Sequence, residues 1–331
     1  MNEVKPQVNS AATQNAAQVL EIDEVLFVGI DLGTSRSSIA ASNGVRETVV
    51  SVVGYPKDEV SRKLLGKDVV YGEEALRKRL ALHLYRPLEK GVIKHSDDPA
   101  ANPEEARANL RAAQDLIRHI IAQARPLAGQ KIYGVIGAPA QASIHNKRAI
   151  IDAAREMLDS VLITSEPFSV AYGLGRFDDA LVVDIGAGTI DLCRMHGAFP
   201  DEDDQITISN AGDYIDKVLY GLLRKNHEEA QFTLNMVRRI KEEHAFVDES
   251  KEQIQVQLPV NGEPHVLDLT QEIKQACGTI VKPIVASIRS LVASFDPEFQ
   301  EKLRQNIILA GGGSQIQGLG KLIQDELRSM S

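Results

Sequence analysis

No run of about 18 apolar residues occurs anywhere in the 331-residue sequence, so no helix is expected to span a membrane. The first residues, Met1-Asn2-Glu3-Val4-Lys5, lack the basic start and apolar stretch of a secretory signal. No aromatic residue precedes Phe27, which leaves residues 1–22 without the usual anchors of an interfacial helix. Positive charge is not in excess either. The net charge of −9 disfavours nonspecific binding to nucleic acid and to anionic lipid surfaces. Cysteine is scarce: Cys193 and Cys277 make no metal-ligand cluster and sit among small apolar neighbours, so both are expected as reduced core residues. A cytoplasmic protein is the expectation, with no direct membrane insertion and no nucleic-acid partner. The rest of the composition is ordinary, with 43% apolar and 25% charged residues in a chain long enough for two domains.

Residues 1–22 are polar, rich in Ala, Gln, Asn and Ser, and without a strong period, so a disordered tail is expected there. Val25-Leu26-Phe27-Val28-Gly29-Ile30 then reads as a buried strand, followed by strands at 37–42 and 49–53 around an Asn43-Gly44 turn. Further on, the pattern predicts a helix over 104–124 with apolar contacts at Leu110, Ile117 and Ile121. A strand over 131–137, a helix over 143–158, a short strand over 162–164 and a helix starting at 169–173 follow. The beginning of the chain then repeats. Val25-Leu26-Phe27-Val28-Gly29-Ile30-Asp31-Leu32-Gly33-Thr34 resembles Ala180-Leu181-Val182-Val183-Asp184-Ile185-Gly186-Ala187-Gly188-Thr189: each is an apolar strand ending in Asp, an aliphatic residue and Gly, with Thr nearby. Two such units about 150 residues apart imply two related α/β domains. The second is expected to hold helices over 213–225 and 233–246, a hairpin at Asn261-Gly262, one long helix over 270–293, a strand over 306–310 and a last helix over 318–329.

A strand that turns sharply at glycine exposes consecutive backbone N–H groups, and these suit phosphate oxygens. Gly33, Thr34 and Ser35 form one such turn, and Gly186, Ala187, Gly188 and Thr189 the other. An aspartate at the end of each strand cannot meet phosphate favourably without a cation, so Asp31 and Asp184 are candidate Mg²⁺ residues, directly or through water. One copy of this pattern is weak, because a tight turn after a buried strand explains it equally well. Two copies at domain spacing are strong. Gly311-Gly312-Gly313-Ser314 is a third glycine turn, which would let an adenine ring approach the backbone.

The order of these motifs resembles the superfamily of actin, Hsp70 and sugar kinases over roughly residues 24–330, and within it the bacterial actins of the MreB type. Gly137-Ala138-Pro139-Ala140 is similar to their first connecting motif, Ser165-Glu166-Pro167-Phe168 to the motif bearing the catalytic glutamate, and Ala211-Gly212-Asp213-Tyr214-Ile215-Asp216 to the second connecting motif. Arg239-Ile240-Lys241-Glu242-Glu243 resembles the helix beside the adenosine. Ser51 to Asp58, with Tyr172-Gly173-Leu174, resembles the branch whose filaments align magnetosomes. The resemblance implies an α/β, actin-like ATPase fold of duplicated ribonuclease-H-like domains in four subdomains. Residues 23–57 with 90–172 would form one core and 58–89 its small subdomain; 173–208 with 275–331 would form the other core and 209–274 its small subdomain. It implies ATP or ADP with Mg²⁺ as ligands, and hydrolysis by Glu166 and Asp184, with Glu166 also near the metal. Gly212, Asp213, Lys241 and Glu242 would lie on the ribose and base side. Asp191 has two readings, a supporting partner of the site or a solvent-facing charge. The implied partners are further copies of the chain in a cytoskeletal filament, together with adaptor proteins on magnetosomes. The alternatives are a cell-shape or plasmid-segregating actin, an Hsp70-like ATPase and a small-molecule kinase. Bacterial actins usually carry another strand and helix after the last helix expected here, so assembly is expected to be weaker than nucleotide binding.

Overall fold

The apolar alternation of residues 25–32 becomes a central strand, and the chain builds one sheet around it and a second around its repeat. The computed structural model describes residues 25–329 except 97, 99 and 250–252; the expected tail over 1–22 lies outside the described residues. The first half runs β1 Val25–Leu32, β2 Arg36–Ala41, β3 Arg46–Val50, β4 Val53–Pro56, α1 Glu59–Leu65, β5 Val70–Tyr71, α2 Gly72–Arg77 and β6 Leu82–Tyr85. It continues through β7 Leu88–Glu89, β8 Val92–Ile93, α3 Pro103–Gln123, β9 Lys131–Ala138, α4 Ile144–Ala154, β10 Ser160–Ser165 and α5 Glu166–Leu174. The second half runs β11 Ala180–Ile185, β12 Ile190–Met195, β13 Gln205–Ile208, α6 Gly212–Asn226, α7 Leu234–His244, β14 Gln255–Val260 and β15 Glu263–Asp268. It closes with α8 Thr270–Gly278, α9 Val281–Ala293, α10 Pro297–Gln305, β16 Ile307–Ala310 and α11 Leu319–Ser329.

The duplication is visible in the pairing. β1 is antiparallel to β2 and parallel to β9, while β11 is antiparallel to β12 and parallel to β16. The strand orders are β10-β9-β1-β2-β3 and β13-β12-β11-β16, so the first sheet carries the extra strand β10 outside β9. The first sheet buries one face under helices and the second is covered on both, with Ala180, Val182, Cys193 and Met195 packed against Phe168 and Ala171 of α5. In the first, Leu26, Val28 and Ile30 meet Leu116, Ile117 and Ile120 of α3. In the second, Leu181, Val183 and Ile185 meet α6 and α9 through Ile215, Leu219 and Ile288. β4, β5 and β6 form a small separate sheet with its own core around Val52, Val70 and Leu82.

α3 starts where Asn102 accepts the Glu104 N–H at 2.9 Å and Pro103 occupies the first turn. Leu110 does not join its buried stripe: it is 37% exposed, and Asn109, Ala112 and Ala113 carry the contact at that level. The helix expected over 270–293 is broken. α8 ends at Gly278, Thr279 turns its hydroxyl back to Ala276 O at 2.6 Å, and α9 begins at Val281. Thr270–Ala293 together has the length and mean hydropathy (1.4) of a membrane span, but half of its most apolar window is buried inside the protein. Cys193 and Cys277 are both free and buried, as expected.

One buried ion pair pins the second sheet to α9. Arg194 on β12 donates to Asp204 at 2.6 Å, to Leu291 O at 2.9 Å and to Ser294 at 2.9 Å, and it lies over the Phe295 ring. Burial works to raise the Asp204 pKa, but bonds from His196, the Asp201 N–H and Arg194 hold it below the usual carboxylate value. Arg194→Met is expected to cost about 3–5 kcal/mol, because it strands a buried carboxylate. Urea unfolding checks this; a loss below about 1 kcal/mol would show the pair to be dispensable.

Candidate functional site

The two Asp-bearing strands end at one cleft. β1 delivers Asp31 and turns through Gly33, Thr34 and Ser35; β11 delivers Asp184 and turns through Gly186, Ala187, Gly188 and Thr189. Between them is a cavity of about 660 Å³ lined by both turns. The turns approach so closely that a Cβ on Gly188 would overlap the Thr34 hydroxyl and the backbone of Lys90. Thr34 is held in turn, its Oγ1 accepting the Gly91 N–H at 2.9 Å. Gly188 is therefore required by contact between the two halves.

The remaining walls come from three places. After β16, Gly311 takes φ 75°, and Gly311, Gly312 and Gly313 face the cavity. A side chain on Gly311 would be strained and would strike Asp184 and Ile185. Ser314 is not part of the wall: its Oγ donates to Gly311 O at 2.7 Å and ties the turn together, while Gln315, Ile316 and Gln317 line the cavity instead. At the start of α6, Gly212 and Asp213 donate their N–H groups to Gly186 O and Ala187 O, at 3.1 and 2.7 Å, which docks the helix on the second turn. From α7, Lys241 and Glu242 reach the cavity together with Arg238. Lys241 Nζ lies 2.7 Å from Asp216 and donates to Gly212 O at 3.0 Å, so it braces the start of α6. Asp213 pairs with Arg238 at 2.8 Å, and Glu242 faces Arg36 across the mouth at 3.6 Å.

Arg36, Gly91 and Arg238 are lining residues that the sequence motifs did not single out. Arg238 was legible, since it stands three residues before Lys241 on the same helix and so shares its face. Gly91 was not, because only the fold brings it to Thr34.

The floor is acidic. Asp31, Glu166 and Asp184 all line the cavity, and Asp191, directly opposite Asp184 on β12, is 1% exposed behind them. This decides between the two readings of Asp191: it faces inward, accepting from Ala140 N–H at 2.8 Å and from the Thr207 hydroxyl. Burial, then repulsion from Asp31 and Asp191, pushes Asp184 up to about 7. Burial, then Asp191, Asp31 and Asp184, raises Glu166 well above an ordinary glutamate. Asp31 opens on the cleft, yet desolvation by the surrounding protein raises it too.

Among the described residues, no three His, Cys, Asp or Glu side chains form a group that could hold a metal ion alone. The donor set is nevertheless all oxygen and carboxylate. That suits Mg²⁺, which keeps several waters and binds through one or two carboxylates plus phosphate oxygens.

Two duplicated α/β domains that meet at paired strand–Asp–Gly turns over one cleft define a protein of the actin fold. The chain belongs to the MreB/Mbl protein family, whose model matches residues 25–330. It is 40% identical to the actin-like protein MamK of Magnetospirillum gryphiswaldense, over 92% of this chain and 82% of that one. It is 26% identical to the cell shape-determining protein Mbl of Bacillus subtilis, over 91% of this chain and 89% of that one. Among solved structures, a MamK double helical filament superposes with a TM-score of 0.87 at 38% identity, covering 92% of this chain and 91% of that one. A non-polymerising MamK mutant bound to AMPPNP superposes with a TM-score of 0.67, also at 38% identity, with the same two coverages.

Proposed function

We propose that this protein is a cytoplasmic ATPase that assembles into actin-like filaments and organises magnetosome chains through adaptor proteins. The observation that carries the nucleotide reading is the contact of the two duplicated turns, Gly188 against Thr34, over a cleft floored by Asp31, Glu166 and Asp184. The filament reading is supported by similarity to a polymerising relative, and the magnetosome branch by 40% identity to MamK against 26% to Mbl.

The turns and Thr34 would present N–H and hydroxyl donors to the phosphate chain. The glycines at 311–313, with Lys241 and Glu242, would flank the nucleoside. Mg²⁺, when bound, neutralises phosphate charge between the halves of the cleft; Asp31 and Asp184 would hold it, with Glu166 nearby. Glu166 stands at the first residue of α5, beside Gly91 and Gly137 on the cleft floor, where its carboxylate would orient or activate the attacking water. An asymmetric subunit docking head to tail gives an open filament, and a nucleotide shared by two domains can set the angle between them.

The direct test is electron microscopy and sedimentation with Mg-ATP, with Mg-ADP and without nucleotide. Filaments that form with ATP and disassemble after phosphate release support the proposal. Nucleotide binding without polymer refutes the filament, and absence of binding refutes the whole reading. Gly188→Val is expected to hold the turns apart and weaken ATP binding by about tenfold or more, because overpacking at such a contact costs roughly 1–3 kcal/mol. Titration with a fluorescent ATP analogue measures it; unchanged affinity would mean that the turns need not meet.

A further inference from the structure

Beside the buried Asp191, one glutamine ties the two halves of the chain together. Gln141 lies three residues beyond the end of β9, in the first half of the chain. Its side chain treats the free edge of β13, in the second half, as a neighbouring strand would. Gln141 Oε1 accepts the Thr207 N–H at 3.0 Å and Nε2 donates to Gln205 O at 3.1 Å, while its own N–H donates to Thr207 Oγ1 at 3.0 Å. The Thr207 hydroxyl donates to Asp191, whose same oxygen accepts the Ala140 N–H at 2.8 Å. Four hydrogen bonds thus join residues 140–141 to β12 and β13, and a fifth, from Thr207 to Asp191, links the two strands behind them. Asp191 Oδ2 is buried behind them with no partner.

The segment so tied leads straight to Glu166. Ala138 pairs with Ser165 and Gly137 with Thr164 in the β9–β10 ladder. A Cβ on Gly137 would stand 3.3 Å from Glu166 Cγ, and one on Gly91 would strike the Pro139 ring and stand 3.6 Å from Glu166 Oε1. Movement of residues 138–141 relative to β13 therefore moves the support on which Glu166 rests. We propose that Gln141 is a positioning residue: through Thr207 and Asp191 it sets the register of Glu166 against the second phosphate turn, and it couples the angle between the domains to hydrolysis. This rests on the hydrolytic reading given above.

Gln141→Ala and Thr207→Val test it. Each is expected to lower kcat by on the order of tenfold or more, as small misplacements do, with KM for ATP within about threefold of wild type. Gln141→Ala removes the two bonds of the glutamine side chain and Thr207→Val the two at the hydroxyl; because either loss frees the same segment, the double variant is expected to be no slower than the slower single one. Gln141→Glu, which loses the donor to Gln205 O, should fall with the alanine variant. An unchanged kcat in Gln141→Ala, or losses that multiply in the double variant, would overturn the proposal. Hydrogen exchange gives an answer that does not require turnover. In nucleotide-free Gln141→Ala, faster exchange should reach from Thr207 through 138–141 to the start of α5. Loss of protection confined to 205–208 would refute the coupling even if the wild-type protein hydrolysed nothing.

Discussion

Asp184→Asn is expected to melt at a higher temperature than the wild-type protein when both are free of nucleotide and metal at pH 8. The sign follows from the raised pKa. Asp184 moves from 3.8 to about 7 on folding, through burial and then its neighbours Asp31 and Asp191. The folded protein thus binds this proton more tightly than the unfolded chain does. Its contribution to stability is complete below about pH 4 and is lost as pH rises through 7. A shift near 3 units corresponds to roughly 4 kcal/mol at the limit, and the open cleft reduces that to about 2 kcal/mol. In a chain of this size this amounts to a few degrees of melting temperature. Calorimetry at pH 5, 6, 7 and 8 should show the wild type losing stability across the series, with the variant falling less and overtaking it. With Mg-ATP the order is expected to reverse if Asp184 holds the cation as proposed, because the variant has given up that carboxylate. A variant less stable than wild type at pH 8 without ligand would show that Asp184 is paired in the free protein, contrary to its proton affinity.

The stabilising direction of that change reflects how the site is written in the chain. The Asp-x-Gly turns were legible because each is a local rule: an apolar strand, an acid at its end and a glycine where the backbone must turn. Their repetition implied two related α/β domains, and β1 indeed pairs with β2 and β9 as β11 pairs with β12 and β16. Other local signals were present but went unused. Pro283 lies in the first turn of α9, where its missing N–H costs nothing, and so marked a restart inside the apolar stretch 270–293. Asp296-Pro297 opens α10 with a side-chain bond to the Glu298 N–H at 3.2 Å, a start signature in an unassigned segment. Contacts across the cleft had no such signature. Gln141 and Thr207 are 66 residues apart, and Gly91 meets Thr34 across 57. Hydrophobic period and turn chemistry describe neighbours along the chain, whereas these pairs exist only once the two sheets face each other. Ser314 shows the reverse error: a polar residue beside a glycine turn looked like a ligand and serves the turn itself.

Glu166→Ala should leave an ATP-binding, polymerising protein that hydrolyses about 10²–10⁴ times more slowly, the range associated with losing a positioned proton acceptor. The fold gives no reason for binding to fail. The phosphate turns, the start of α6 and the glycines at 311–313 are held by backbone bonds that do not involve Glu166. Its side chain occupies the space in front of Gly137 and Gly91 and has no part in the close approach of Gly188 to Thr34, so removing it leaves that approach in place. Burial, and after it Asp191, Asp31 and Asp184, opposes ionisation of Glu166, so the variant, which has no acid to keep protonated on folding, is expected to be at least as stable as wild type without ligand at neutral pH. Glu166→Gln keeps the shape and loses the basicity. It should be as slow as the alanine variant if proton transfer is the role, and clearly faster if the side chain only fills space. Single-turnover phosphate release with ATP in place measures the chemical step, and sedimentation of the same samples measures polymer. Filaments that form at the wild-type rate but persist after the wild type has disassembled would connect the chemistry of Glu166 to filament lifetime. Phosphate release at the wild-type rate from either variant would remove Glu166 from the reaction.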